Sequence, residues 1–167
     1  AALDQLRSLG VEVILSDPVA SSDGESVTLG SGRVIPTHTL LWMAGVNASP
    51  LAEMLDVPLM RGGRVPVAET LEAIGLEHVY VVGDMSYLED AQGRPYPQMI
   101  PPAKQQGIHA ARNILRRYEG KPQEPFRYVD RGIMATIGRS RAVAYLFNRV
   151  PLRGYLAWIA WLGLHLL

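Results

Sequence analysis

Apolar positions along the 167 residues fall mostly into short strand-like runs broken by glycine, and take a helical spacing in only a few places. Asp4 to Leu9 reads as the end of a helix stopped by Gly10. Val11 to Leu15, Val27 to Leu29, Val34-Ile35 and Thr39 to Met43 read as strands, separated by turns at Ser21-Ser22-Asp23-Gly24 and Gly30-Ser31-Gly32. Pro50 to Met60 is a short, partly helical connection. After Gly62-Gly63, Arg64-Val65-Pro66-Val67 begins another extended segment. The run His78-Val79-Tyr80-Val81-Val82 has the continuous apolar character of a strand covered on both faces, and Gly83-Asp84 stops it.

From Pro102 the pattern predicts a helix of about four turns, because proline suits a first turn and no breaker follows until Gly120. Its recurring face is Ala103, Gly107, Ala110 and Ile114, and small residues there permit close approach to a neighbouring backbone or a flat ligand. Phe126 to Tyr128, Ile133 to Ile137 and Ala142 to Phe147 read as short strands, the last two paired across Gly138-Arg139-Ser140. The final segment, Leu152 to Leu167, is almost wholly apolar after Arg153 and carries Tyr155, Trp158 and Trp161. A helix from Gly154 to the last residue would be roughly 21 Å long, against about 30 Å of bilayer hydrocarbon, so it is too short to span. It suits an interfacial membrane segment or, alternatively, a core helix of an ordinary domain.

Composition adds two constraints. With 48% apolar residues and zero net charge the chain belongs to the globular class. The absence of cysteine excludes, within these residues, a disulfide framework, a thiolate metal site and a redox-active cysteine pair, so electron chemistry here must belong to a bound cofactor. The overall neutrality hides a split at Ala103: residues 1–103 hold 5 basic and 13 acidic side chains, a net −8, and residues 104–167 hold 11 and 3, a net +8. Such polarity suggests an anionic partner for the second half, whether nucleic acid, acidic protein or anionic lipid. Nucleic acid ranks last, because the basic residues form no recognition helix or stacking sheet.

Several familiar signatures are missing. No Gly-x-Gly-x-x-Gly occurs, so no dinucleotide phosphate cradle is present. No Gly-x-Ser-x-Gly supports a hydrolase. His38, His78, His109 and His165 lack metal-ligand spacing and read as structural or solvated. The sharpest chemical signal is the apolar run ending in Gly83-Asp84. A glycine at a strand end lets a ligand approach the backbone, and the adjacent carboxylate can accept hydrogen bonds from sugar or polyol hydroxyls.

The order of motifs carries a resemblance. Gly63-Arg64-Val65-Pro66-Val67, Glu69-Thr70-Leu71 and Val79-Tyr80-Val81-Val82-Gly83-Asp84 together resemble the second flavin motif of two-dinucleotide-domain flavoproteins. Leu41-Trp42-Met43-Ala44-Gly45-Val46, continued by Ala48-Ser49-Pro50, looks like the strand end closing their NADH domain. Pro101-Pro102-Ala103-Lys104-Gln105-Gln106-Gly107 with Ala110-Ala111-Arg112-Asn113-Ile114 looks like the helix after the flavin aspartate in type II NADH dehydrogenases. Tyr128 to Arg139 resembles that family's C-terminal sheet, and Gly154 to Trp161 its membrane-associated helix. One departure is clear: where many members begin the helix with Ala-Gln at the quinone, this chain has Ile100-Pro101.

The resemblance implies a mixed α/β fragment: the end of a two-dinucleotide-binding-domain flavoprotein, followed by a small antiparallel sheet and an apolar helix. Residues 1–47 would close the NADH-binding domain, 48–120 the FAD-binding domain, and 121–167 would form the sheet and membrane helix. It further implies FAD as cofactor and NADH as substrate, with Gly83, Asp84, Gly45, Ala103, Lys104 and Gln105 near the cofactor. In that family the aspartate holds the ribityl chain, and the start of the helix places N–H groups and a positive dipole end at the flavin pyrimidine. Gln105 could face quinone or solvent, and Tyr155, Trp158 and Trp161 would face the membrane. The expected location is peripheral, on the cytoplasmic face of the cell membrane, at an anionic lipid surface. A second copy is a further candidate partner, through bare strand edges or the apolar helix. Without the cradles the 167 residues alone are expected not to oxidise NADH. The competing reading is a non-catalytic membrane- or protein-binding module in which Gly83-Asp84 is a plain turn.

Overall fold

The computed structural model describes residues 2–147 and 149–166, the last three of these by backbone only. The side chain of His165, read from the sequence as structural or solvated, and Leu167 at the end of the apolar tail lie outside the described residues. The chain forms two compact units, one made of Ala1–Met43 with Arg131–Leu167 and the other of Ala44–Asp130.

The first unit begins with helix α1 (Ala2–Ser8) and an antiparallel sheet of β1 (Val19–Ser22), β2 (Ser26–Leu29) and β3 (Val34–Pro36), in the order β1-β2-β3. In β2 the period of two puts Val27 and Leu29 in the core, each 5% exposed, with Ser26 and Thr28 on the other face. The β1-β2 turn is set by Asp23, whose Oδ1 accepts from the N–H of Glu25 (2.9 Å) and Ser26 (2.6 Å). Those bonds also hold the Asp23 carboxyl below its ordinary range, with a further hydrogen bond from the Ser26 hydroxyl. Ser21 and Ser22, expected in a turn, belong to β1. The strands expected at Val11 to Leu15 and Thr39 to Met43 do not form. A strand exists through its partner, and neither stretch forms a ladder with any described residue. Leu41 and Met43 are accordingly exposed.

The same unit ends in an antiparallel sheet of β6 (Gly132–Ile137), β7 (Arg141–Leu146) and β8 (Val150–Arg153), covered by helix α3 (Gly154–Leu166). The turn over residues 138–140 joins β6 and β7 as the glycine there predicts. Strand β8, which contains Pro151, lies in a segment that the apolar pattern assigned to no strand; it is the last strand of the sheet, where a missing N–H is tolerated. Ala142, Ala144 and Ala157 form the contact between β7 and α3, with Met134, Leu146, Leu152 and Trp158 packed around them. Small residues on both surfaces let the helix backbone lie close to the sheet. Helix α1 touches β6 and β7, and Arg141 Nη1 donates to Ser8 Oγ.

The second unit holds a short 3-10 turn (Pro50–Leu55), the two-residue parallel pair β4 (Val65–Pro66) and β5 (Ser86–Tyr87), a 3-10 turn (Gly83–Met85) and the long helix α2 (Ile100–Tyr118). Its core joins Val65, Val67, Leu71, Val81, Ala110 and Phe126, with Val65 and Leu71 fully buried. Burial of each such side chain contributes about 1.5–3 kcal/mol. Val79 to Val82 is extended but makes no ladder: Ala73 N–H donates to Val79 and Val81 N–H to Leu71, with one isolated bridge between Glu72 and Tyr80. Phe126 to Tyr128 likewise forms no strand. It is a strap laid on the core, where Tyr96 meets Phe126 and Tyr128 edge to face at 5.6 and 5.9 Å.

Helix α2 begins two residues before Pro102 and ends at Tyr118, with Gly120 left-handed beyond it. Its buried face is Pro102, Gln106, Ala110 and Asn113, one step away from the face of small residues that the sequence suggests. The polar Gln106 and Asn113 are inside because their bonding is met there. Asn113 Nδ2 donates to the carbonyls of Thr70 (3.1 Å) and Glu124 (2.9 Å), and its Oδ1 accepts from Glu124 N–H (2.9 Å).

Candidate functional site around the Gly83–Ser86 turn

The candidate site is built on the segment that leaves the core at Val81 and turns at Gly83. Gly83 has φ +68°, a left-handed conformation that glycine adopts without a Cβ penalty. A Cβ at this position would also meet the Cβ of Ala103 at 3.3 Å. The turn and the start of α2 are thus in close contact, which is the approach that the small residue at 103 predicts. Gly107, expected to share that role, has nothing within 4 Å of where its Cβ would be.

The turn is held from several sides. Gly83 N–H donates to Gln106 Oε1 at 2.6 Å. The single hydroxyl hydrogen of Ser86 lies within reach of two acceptors, Gly83 O at 2.9 Å and Gln106 Oε1 at 3.0 Å. Ser86 N–H also closes onto Gly83 O. The carbonyl of Asp84 accepts from Gln98 Nε2 at 2.9 Å, and that of Ser86 from Arg64 Nε at 2.8 Å. Arg64 is only 7% exposed; it reaches Tyr96 O with Nη2 at 3.0 Å and stacks its guanidinium 5.1 Å above the Tyr87 ring. Burial lowers its affinity for the proton, an effect that nearby Tyr87 and Asp84 only partly offset, and an arginine keeps its charge even so.

The backbone on both sides of Asp84 is therefore fixed while its side chain is exposed and makes no hydrogen bond or salt bridge among the described residues, its charge acting on nearby Arg64. An exposed carboxylate on an immobilised turn is an acceptor for donors that arrive from outside, such as sugar or polyol hydroxyls.

Helix α2 points its N-terminal end at this turn. Met99 supplies no side-chain cap, and Pro101 and Pro102 carry no N–H. Ala103 N–H is directed to Met99 O at 3.2 Å, so the helix end offers its dipole and the N–H of Ile100 more than a fan of free donors. Lys104 is exposed, in keeping with a solvated ammonium. Gln105 pairs its amide with the backbone of Val129: Nε2 donates to Val129 O and Oε1 accepts from Val129 N–H, both at 3.0 Å. Gly45 has φ +86° and nothing within 4 Å of its would-be Cβ. His109 Nε2 lies 2.8 Å from Glu124 O and serves the strap, as a structural histidine does.

On α3, Tyr155 stacks on Trp158 with centroids 5.6 Å apart, and Trp158 is half-buried against the alanine contact. Trp161 is half-buried too. Tyr155, Leu156 and Ile159 are exposed, forming an apolar surface on the side away from Ala157. Among the described residues no helix is long and apolar enough to cross a membrane.

Sequence reasoning brought Gly83, Asp84 and Ala103 together and missed Arg64, Ser86, Gln98 and Gln106. The available signal for Gln106 was its spacing: Pro102, Gln106, Ala110 and Asn113 follow one another at helical intervals, but a face with two polar residues reads as solvated.

Comparison with known proteins gives the context. A family model described as pyridine nucleotide-disulphide oxidoreductase matches residues 1–107. The type II NADH:quinone oxidoreductase Ndh of Mycobacterium tuberculosis (strain ATCC 25618 / H37Rv) is 38% identical, over 99% of this chain and 37% of that protein. The chain thus spans little more than a third of the length of the curated relatives it matches. Among solved structures, NDH2 from Plasmodium falciparum in complex with NADH superposes with a TM-score of 0.76 at 14% identity, covering 98% of this chain and 49% of that one. Reduced Bacillus anthracis CoADR-RHD superposes with a TM-score of 0.64 at 27% identity, covering 86% and 26%.

Proposed function

Because the chain belongs to the pyridine nucleotide-disulphide oxidoreductase family, we propose that its residues are the C-terminal portion of a type II NADH:quinone oxidoreductase and hold one side of its FAD. The observation that carries this reading is the exposed Asp84 carboxylate, which makes no hydrogen bond or salt bridge among the described residues, on a turn whose neighbouring backbone groups are hydrogen-bonded. Asp84 accepts from ribityl hydroxyls, Gly83 gives the cofactor access to the backbone, and the positive end of α2 at Ala103 to Gln105 lies at the flavin's pyrimidine edge. Gly45 lets its loop pass close to the nicotinamide or flavin edge. The redox chemistry, hydride uptake from NADH and electron delivery to a quinone, is supplied by the bound FAD.

Gln105 enters this reading through the main chain it holds at Val129, since its amide is already paired. The exposed face of α3 at Tyr155, Leu156 and Ile159, beside the +8 second half, supports peripheral attachment to an anionic membrane on the cytoplasmic side, with Trp158 and Trp161 at the interface.

Asp84→Ala tests the assignment in the complete flavoprotein. The expected result is loss of FAD from the purified protein with the fold intact. Unchanged FAD content would instead favour a binding module in which the turn is purely structural.

A further inference from the structure

Gln106 is the second most deeply buried polar side chain of α2, 2% exposed, and its oxygen is the only side-chain acceptor for Gly83 N–H among the described residues. It also lies within hydrogen-bond reach of Ser86 Oγ. One atom on the helix therefore meets both ends of the turn that carries Asp84. A buried amide is costly unless its bonds are made, and an apolar residue of similar size would fill the same space without that cost. The position is explained by what the oxygen does to Gly83.

We propose that Gln106 is a positioning residue for the cofactor: its Oε1, by fixing Gly83 N–H and Ser86 Oγ, sets the Gly83–Ser86 turn so that the Asp84 carboxylate points at the ribityl chain. This rests on the FAD reading given above. Gly83 is free to leave φ +68° because glycine pays little for other conformations, so the turn needs an acceptor to select this one. Arg64 holds Ser86 O, while at the Gly83 end it is Gln106 that supplies the acceptor for the N–H. Rigidity at Asp84 raises affinity by removing the ordering cost that a mobile turn would bring to binding.

The chemistry of the amide separates this role from simple packing. Only the acceptor is required, so a glutamate at this position does the same work: a carboxylate oxygen, or the carbonyl oxygen of the protonated acid, accepts from Gly83 N–H. Leucine keeps the volume and removes the acceptor.

The test compares Gln106→Leu, Gln106→Glu and Asn113→Leu in the complete flavoprotein, measuring FAD dissociation constants by titration of the apoprotein and thermal midpoints without FAD. Asn113 is the control, a residue as deeply buried on the same helix whose bonds go to Thr70 and Glu124 and not to the turn. The expected result is FAD affinity weakened about ten-fold or more in Gln106→Leu and restored to within about three-fold of wild type in Gln106→Glu. Asn113→Leu should lower the midpoint and leave affinity within about two-fold. Wild-type affinity in Gln106→Leu, or equal losses in the leucine and glutamate variants, overturns the proposal. If Gln106→Leu does not fold, Gln106→Glu decides alone, since a loss of ten-fold or more there is equally fatal. Failure of wild type itself to bind FAD would overturn the underlying FAD reading, and a failure confined to the Gln106 variants would not.

Discussion

Gly83 and Ala103 stand so close that a Cβ on the glycine would lie 3.3 Å from the Cβ of the alanine, and Gly83 is at φ +68°. The turn that presents Asp84 and the first turn of α2 are consequently a single packed object. Gly83→Ala introduces two separate penalties, about 1–2 kcal/mol for a side chain in the left-handed region and an additional steric one against Ala103. The expected outcome is a lowered flavin content per protein, read from the visible absorbance. Adding Ala103→Gly removes the steric penalty only, so the double variant should recover part of the flavin and not all of it.

Arg64 supports the same turn by donating to the carbonyls of Ser86 and Tyr96 from a buried position. Arg64→Met leaves both carbonyls unpaired and should destabilise the protein by about 2–4 kcal/mol. Arg64→Lys retains the charge but not the fork that reaches two separated acceptors, and should fall between the two. Urea unfolding midpoints at fixed m-value measure the difference.

Glu72 ties the extended segment to α2. Its Oε1 accepts from Arg117 Nη1 and His78 N–H, at 2.6 and 2.7 Å. Burial raises the carboxyl's proton affinity, but the His78 and Arg117 hydrogen bonds and the Arg117 charge outweigh it, leaving the folded value below the ordinary 4.5. A carboxyl depressed in the folded state stabilises it above the unfolded value and loses that contribution as pH falls through the folded one. Thermal midpoints should therefore show a steeper decline below about pH 4.5 in wild type than in Glu72→Gln, whose amide oxygen accepts the same bonds without titrating. Parallel curves would contradict the assignment.

The two faces of α3 should respond differently to substitution. Leu156→Ser with Ile159→Ser changes exposed positions and is expected to reduce sedimentation with phosphatidylglycerol vesicles several-fold at unchanged thermal stability. Ala157→Leu, at a position with no exposed surface, should instead unseat the helix from β7 and lower stability by about 1–3 kcal/mol. Equal binding to neutral and anionic vesicles would remove the electrostatic part of the membrane proposal.

What the sequence disclosed follows from how local each signal is. Helix α2, from Pro102 on, and the β6-β7 hairpin were legible because helix period, proline placement and a central glycine are local facts. The segments at Val11 to Leu15, Thr39 to Met43 and Val79 to Val82 have strand composition, but a strand of a parallel sheet is completed by residues remote in sequence, and no described residue extends a ladder along them. The turn with Asp84 exposed was legible because Gly-Asp after an apolar run is a local stop pattern. Gln106 and Arg64 were not, since a buried polar residue is recognised by its partners, here Gly83 N–H and two carbonyls, and these are assembled only by the fold. The same reasoning explains Gln105: the sequence left it to quinone or solvent, and the strap brought Val129 to it.

The visible absorbance spectrum of the complete purified protein, taken before and after anaerobic addition of NADH, decides whether Asp84 helps to hold a reducible flavin. A bound flavin that bleaches on NADH addition, and that is absent from Asp84→Ala, is the expected result. A protein that purifies without flavin, or holds flavin that NADH leaves oxidised, would contradict the account.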